Sequence, residues 1–323
     1  TLGYENQNLS ITQIICFHKS DELTNDKKDY NLACLKKILP VYCSACRYHV
    51  YYYYGDLIHS SADLLLFPYL VLTSGHALLL SKDMQSGIVF EKQDTLKFFH
   101  QMYDRYLEQV SSFGVVMNNL PTQLSYFHNI RADMEQNYCF QMLPCLTFGI
   151  PDYFFDKYIY PEIPSRDKLI AMLMDYVHSI RKRFTEHPVR FIFSEDGLQR
   201  FLETGRIPEY PPAVYRPFEL SDRIVLIRQF LKFCPPNGLC MLKCTIGDLD
   251  NELFMYVNPR NGYLMFPSSE PDQLICLDIT EPGLLHGFCD FCEHLDKDLF
   301  YTETEAYSLI SSLLDKTEQK KGS

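Results

Sequence analysis

Apolar residues recur along the chain either three to four apart or in short unbroken runs, and the spacing predicts the elements. Leu32, Leu35, Ile38 and Leu39 share a helical stripe that Pro40 is expected to end. Tyrosine and valine then dominate 41–54, an extended segment closed by Gly55-Asp56. The runs 64–72, 77–80 and 88–90 read as three further strands, and Asp94 is expected to cap a helix with Leu96, Phe99, Tyr103, Tyr106 and Leu107 on one side. A first α/β lobe is therefore expected over 1–117.

Residues 118–164 differ in kind. Pro121, Pro144, Pro151, Pro161 and Pro164 interrupt them, while Tyr153, Phe154, Phe155, Tyr158 and Tyr160 make them aromatic. A solvated linker would not carry that apolar surface, so the segment is expected to connect two lobes while packing between them or over a pocket. From Ser165, Leu169, Met172, Leu173, Tyr176, Val177 and Ile180 mark a strong helix. A strand at 189–193 follows, then a short helix capped by Ser194 and ended by Gly205. Prolines 208, 211, 212 and 217 stiffen a loop before a helix over 221–233. Runs at 239–246, 253–257, 263–266 and 274–279 read as a four-stranded meander, followed by helices over 283–295 and 303–314. The second lobe thus spans 165–315, with a polar, fraying tail at 316–323. Laying 66–107 on 253–295 aligns Leu66-Phe67-Pro68-Tyr69 with Leu253-Phe254-Met255-Tyr256, Gly75 with Gly262 and Ser81 with Ser268, which suggests an internal duplication. The fold class is α/β, in two mixed lobes.

Composition narrows the function. The 323 residues carry a net charge of −11 and are 46% hydrophobic and 14% aromatic, which excludes disorder and disfavours direct binding of nucleic acid. No apolar run reaches the roughly 20 residues of a membrane-spanning helix, and no charged leader precedes one, so a cytoplasmic chain without a membrane partner and with its twelve cysteines reduced is expected. Nucleophile elbow, phosphate loop, dinucleotide turn and His-Glu-x-x-His pair are all missing. Cys43/Cys46 and Cys289/Cys292 could make a four-thiolate zinc site on paper, but Cys289 and Cys292 fall in an amphipathic helix, and core packing is the better reading. Asp248 to Glu252 alternates carboxylates without the glycine of a calcium loop and reads as a hairpin turn. No metal, no cofactor and no catalytic residue are expected.

Aromatic density is the remaining pointer. Tyr52 and Tyr54 share one strand face, and Tyr153, Phe155, Tyr158, Tyr160, Tyr210 and Tyr215 lie in proline-stiffened segments. Tyrosine joins an apolar body to a polar tip, which suits a small-molecule cleft as well as a Trp-free core. Arg190, Arg206, Arg216 and Arg223 are spread through the same region and suit an anionic effector. The candidate ligand-binding set is Tyr52, Tyr54, Tyr153, Phe155, Arg206, Tyr215 and Arg216.

Two phrases carry a resemblance. Pro68 to Thr73 with Ala77 to Asp83 and Ser86-Gly87-Ile88, and Phe193 to Arg206 with its Gly197-Leu198, Phe201 and Thr204-Gly205-Arg206, are similar to the C-terminal sensing halves of bacterial helix-turn-helix transcription regulators. The likeness is to the phospholipase-D-like effector domains of TrmB-type regulators and runs from about residue 30 to 315. It implies a non-catalytic effector-binding region of a homodimer. It also implies that DNA is read through a module absent from this chain, which a chain starting at Thr1 without a helix-turn-helix before residue 30 would fit. An enzyme of hydrolase or transferase type with a dispersed, motif-free site is the alternative.

Overall fold

The computed structural model describes residues 10–18, 28–42, 47–55, 66–133, 135–246, 253–267 and 273–321. Cys43, Cys46, the carboxylates between 248 and 252 and the last two residues of the tail lie outside them. The chain is α/β and divides into two units at Phe113/Gly114.

In the first unit β1 (Ser10–His18) and β2 (Arg47–Gly55) pair in parallel, joined by helix α1 (Lys28–Tyr42). Strands β3 (Tyr69–Leu72), β4 (Ala77–Leu80) and β5 (Gly87–Phe90) form a separate antiparallel meander and lead into helix α2 (Gln93–Leu107). The chain then returns as β6 (Ser111–Ser112), antiparallel to β2. Two expectations are corrected here. Helix α1 runs past Pro40 to Tyr42, whose ring is buried 4.8 Å from that of Tyr48; Pro40 sits in the last turn, where one lost hydrogen bond is outweighed by that burial. The residue that caps α2 is Lys92, with Asp94 inside the first turn.

The second unit begins with β7 (Val116–Met117), α3 (Leu120–Asn129), β8 (Tyr138–Gln141), α4 (Asp152–Tyr158) and α5 (Arg166–Glu186). It continues through β9 (Arg190–Ser194), α6 (Glu195–Thr204), α7 (Leu220–Phe233), β10 (Leu239–Leu242), β11 (Phe254–Val257), β12 (Gly262–Pro267), β13 (Leu274–Ile279), α8 (Pro282–Glu293) and α9 (Glu303–Lys321). Its seven described strands lie in the order β10-β9-β8-β11-β12-β13-β7, with β8, β9 and β10 parallel and the rest antiparallel. The segment 118–164 is therefore no connector between lobes. It supplies α3, α4 and the central strand β8, all four of whose residues are buried, so that no alternation marks it as a strand. The meander has three strands, not four, because β10 pairs with β9 at the far edge. The tail continues α9 to Lys321 instead of fraying from 316.

Local chemistry explains the firmest elements. Ser194 accepts the Gly197 amide at 3.0 Å to open α6, and Gly205, at φ +66°, closes it in the left-handed conformation. Helix α5 buries Leu169, Ile170, Leu173, Tyr176, Val177, Ile180 and Phe184, each contributing about 1.5–3 kcal/mol of apolar burial. Two arginines in its C-terminal half bind carbonyls, Arg181 those of Phe148 and Ile150 and Arg183, in the last turn, those of Phe127 and His128.

The two expected repeats have the same order of elements, an antiparallel meander followed by a helix. Leu72 faces Ala77 across the first hairpin as Val257 faces Gly262 across the second, two residues away from the alignment that laid Gly75 on Gly262. Both turns are built alike: Thr73 and Asn258 each donate their amide to the carbonyl three residues on, while their side chains accept the amides two and three residues ahead.

Candidate functional site

Strand β8 ends at Gln141, and the chain turns through Cys145 and Thr147 before α4. Alternation along the strand aims Cys139 and Gln141 at the sheet face covered by α3 and α5. Phe140 faces α8, where its ring lies 5.5 Å from that of Phe291. Opposite Gln141, the proline-stiffened loop between α6 and α7 turns Glu209 and Tyr210 inward, leaving each only 8% exposed. Two clamps hold this loop. The Tyr215 hydroxyl accepts the Ile207 amide at 2.8 Å and donates to the Ile207 carbonyl at 3.0 Å, and Arg206 donates to the Tyr215 carbonyl at 2.6 Å.

These segments enclose a cavity of about 20 Å³, room for one water. Glu209, Tyr210, Thr147, Cys145 and Cys139 give it a polar wall, and Phe127, Tyr176, Phe184 and Tyr263 an aromatic one. The polar wall is poorly satisfied. Glu209 Oε1 accepts Gln141 Nε2 at 3.4 Å and Thr147 Oγ1 at 3.5 Å, both at the long limit of a hydrogen bond. Among the described residues Glu209 Oε2, Tyr210 Oη and Gln141 Oε1 have no partner in good hydrogen-bond geometry, although Cys145 approaches Glu209 and Thr147 approaches Tyr210. Burial therefore pushes the Glu209 carboxyl up to about 7, with weak hydrogen bonds from Gln141, Cys145 and Thr147 pulling the other way. Burial likewise raises the Tyr210 and Tyr176 phenols, and contact with Cys139 followed by burial raises the Cys145 thiol.

A second cavity of similar size lies on the other side of Tyr210. It is wholly apolar in character, lined by Phe154, Phe155, Leu173, Val214, Tyr215 and Phe218 among others. Tyr210 lines both cavities, and its hydroxyl has no well-formed hydrogen bond, only a weak contact with Thr147.

The residues expected to bind a ligand are placed as follows. Tyr52 and Tyr54 are in the first unit, where Tyr52 packs on Phe17 at 5.3 Å. Phe155 and Tyr215 meet at the apolar cavity. Tyr153 is 59% exposed. Arg206 lies over the Tyr215 ring, and Arg216 donates to the Lys157 carbonyl and lies over the Tyr158 ring. Arg190 pairs with Glu293, and Arg223 caps carbonyls of Leu202, Glu203 and Phe218. Glu209, Gln141, Thr147 and Cys145 were missing from the expected set. The one signal for them was Glu209 itself, a lone carboxylate inside Ile207-Pro208-Glu209-Tyr210-Pro211-Pro212.

Compared with known protein families, curated proteins and solved structures, the chain matches none of them. Among the described residues no cluster of three or more potential metal ligands occurs; Cys289 and Cys292 are buried in α8, where burial holds both thiols protonated. No described helix is long and apolar enough to cross a membrane.

Proposed function

We propose that the chain is the non-catalytic, ligand-sensing part of a regulatory protein, and that its ligand binds where Glu209 and Tyr210 face the enclosed cavity of the second unit. The observation that carries this is three buried polar atoms without a well-formed hydrogen bond, Glu209 Oε2, Tyr210 Oη and Gln141 Oε1; Glu209 and Tyr210 line one aromatic-walled cavity, and Gln141 lies beside it, bonded to Glu209 Oε1. Leaving such atoms unpaired costs about 1–3 kcal/mol each, and a ligand that satisfies them recovers that cost on binding. With Glu209 ionised, two of the three are acceptors only and the third is a hydroxyl, so the complementary group is rich in donors: a primary ammonium or an amidine, which would itself favour the ionised carboxyl. Aromatic rings around the carboxyl favour the same cation. Swinging the weakly held Tyr210 ring would join the two cavities, giving the ligand an apolar or aromatic body behind its cationic head. This reading replaces the anionic effector, since the guanidinium groups proposed for it are spent on carbonyls and on Glu293.

The regulatory setting rests on the sequence resemblance: ligand binding would shift the population of a state read by a DNA-binding module elsewhere. A carboxyl near 7 also suits a general base, as the enzyme reading requires. Its neighbours argue for sensing, because the Cys145 thiol and the Tyr210 phenol are held protonated and offer no activated nucleophile. Thermal-shift titration at pH 8 with 2-phenylethylamine, 2-phenylethanol and phenylacetate tests the proposal. The amine is expected to raise Tm and the other two to leave it unchanged, with the response lost in Glu209→Gln. Equal shifts for all three, or an amine shift that survives Glu209→Gln, would refute it.

A further inference from the structure

The likeness between the units extends beyond the meanders. In each, two parallel strands are joined through helix (β1-α1-β2; β9-α6-α7-β10), a three-stranded antiparallel meander and a helix follow, and the chain then returns to the outer edge of the second parallel strand. That return is β6 on β2 in the first unit and the Phe300 bridge to Leu242 on β10 in the second. One piece differs. In the second unit β8 lies between β9 and β11, parallel to one and antiparallel to the other, and welds the two halves into one sheet. In the first unit no described strand pairs with the outer edge of β1 or of β3, and the halves remain two three-stranded sheets.

Burial follows the same contrast. Strand β11 is buried at all four positions, whereas its counterpart β3 leaves Val71 48% exposed, and β5 leaves Val89 56% exposed. The two edges, unpaired among the described residues, belong to one neighbourhood, because helix α2 reaches both: His100 Nε2 lies 3.2 Å from the Thr73 carbonyl just past β3, and Tyr103 is hydrogen-bonded to Thr12 on β1. Open, apolar edges of this kind are templates for a further strand.

We propose that the first unit binds an extended segment of a separate polypeptide between β1 and β3, parallel to β1 and antiparallel to β3. The occupant is a strand of about four residues that is apolar or aromatic on both faces, because its counterpart Tyr138–Gln141 is buried at every position. Register identifies the receiving groups. The first hairpin closes on the Thr73 amide and the His76 carbonyl, so the pairs Leu72/Ala77 and Leu70/Leu79 are the non-hydrogen-bonded ones, and the Leu70 and Leu72 amides point away from β4 to the open edge. Met255 and Val257 hold the matching positions towards β8.

The test is hydrogen exchange on the full chain, with and without a synthetic peptide of residues 136–143 as the strand probe and a scrambled peptide as control. The probe is expected to slow exchange in 10–18 and 69–72 by about tenfold or more, with α5 unchanged. Leu70→Pro, which removes an outward amide and leaves the β3–β4 bonds in place, is expected to abolish the effect while α5 stays protected. Three results would overturn the proposal: no slowing by the probe, equal slowing by the scrambled peptide, or strong protection of 69–72 in the free chain, whether as monomer or dimer by sedimentation, since the slot would then be filled already.

Discussion

At the scale of single residues the second unit treats two buried polar groups in opposite ways. Asn137, at the start of β8, uses its whole amide: Oδ1 accepts the Asp133 amide at 2.7 Å and the Tyr256 hydroxyl at 3.0 Å, and Nδ2 donates to the carbonyls of Asp133 and Pro188. Glu209, beyond the other end of that strand, is left half unpartnered. The first is what a structural polar residue looks like, and its removal should be expensive. Asn137→Ala is expected to destabilise the protein by about 2–4 kcal/mol, read as a lower urea midpoint at unchanged slope. Neither residue announces itself in the sequence. Asn and Glu are common in loops, and it is burial, set by partners far along the chain, that gives each its role.

At the scale of elements, legibility follows locality. Helix α6 could be read to the residue because its signals, Ser194 before it and Gly205 after it, act on their own neighbours. Gly205→Ala is expected to cost about 2 kcal/mol or more, seen as a drop in Tm. The new Cβ adds a positive-φ penalty and would collide with the Phe218 carbonyl oxygen. Strand β8 could not be read at all. Tyr-Cys-Phe-Gln is short and buried on both faces, and its identity as a strand comes from β9 and β11, contributed by residues about 50 and 115 positions later. The same absence of local signal misplaced β10, a good strand whose partner lies on the opposite side from the one its sequence neighbours suggest. Once β8 was hidden, the site built at its end was hidden too, for Gln141, Thr147 and Glu209 meet only when that strand is in place.

For the whole molecule, the acidic balance of −11 and the poorly satisfied carboxyl at the centre of one unit point the same way, towards a cationic ligand. The carboxyl also makes stability depend on pH. Glu209 titrates near 7 when folded and near 4.5 when unfolded, so the folded state binds the extra proton between those values. The contribution of Glu209 to stability is therefore fully present below about pH 4.5, falls as pH rises towards 7, and is smaller by about 3 kcal/mol above it. A carboxylate that serves the fold behaves in the opposite sense, and its removal destabilises at neutral pH. The most direct test of the central claim is the urea stability of Glu209→Gln against the unsubstituted chain at pH 5 and pH 8. The account predicts near-equal stabilities at pH 5 and a variant more stable by about 2–3 kcal/mol at pH 8, because the group held in reserve for a ligand no longer has to be buried charged. A variant less stable than the unsubstituted chain at pH 8 would contradict it and make Glu209 a structural residue.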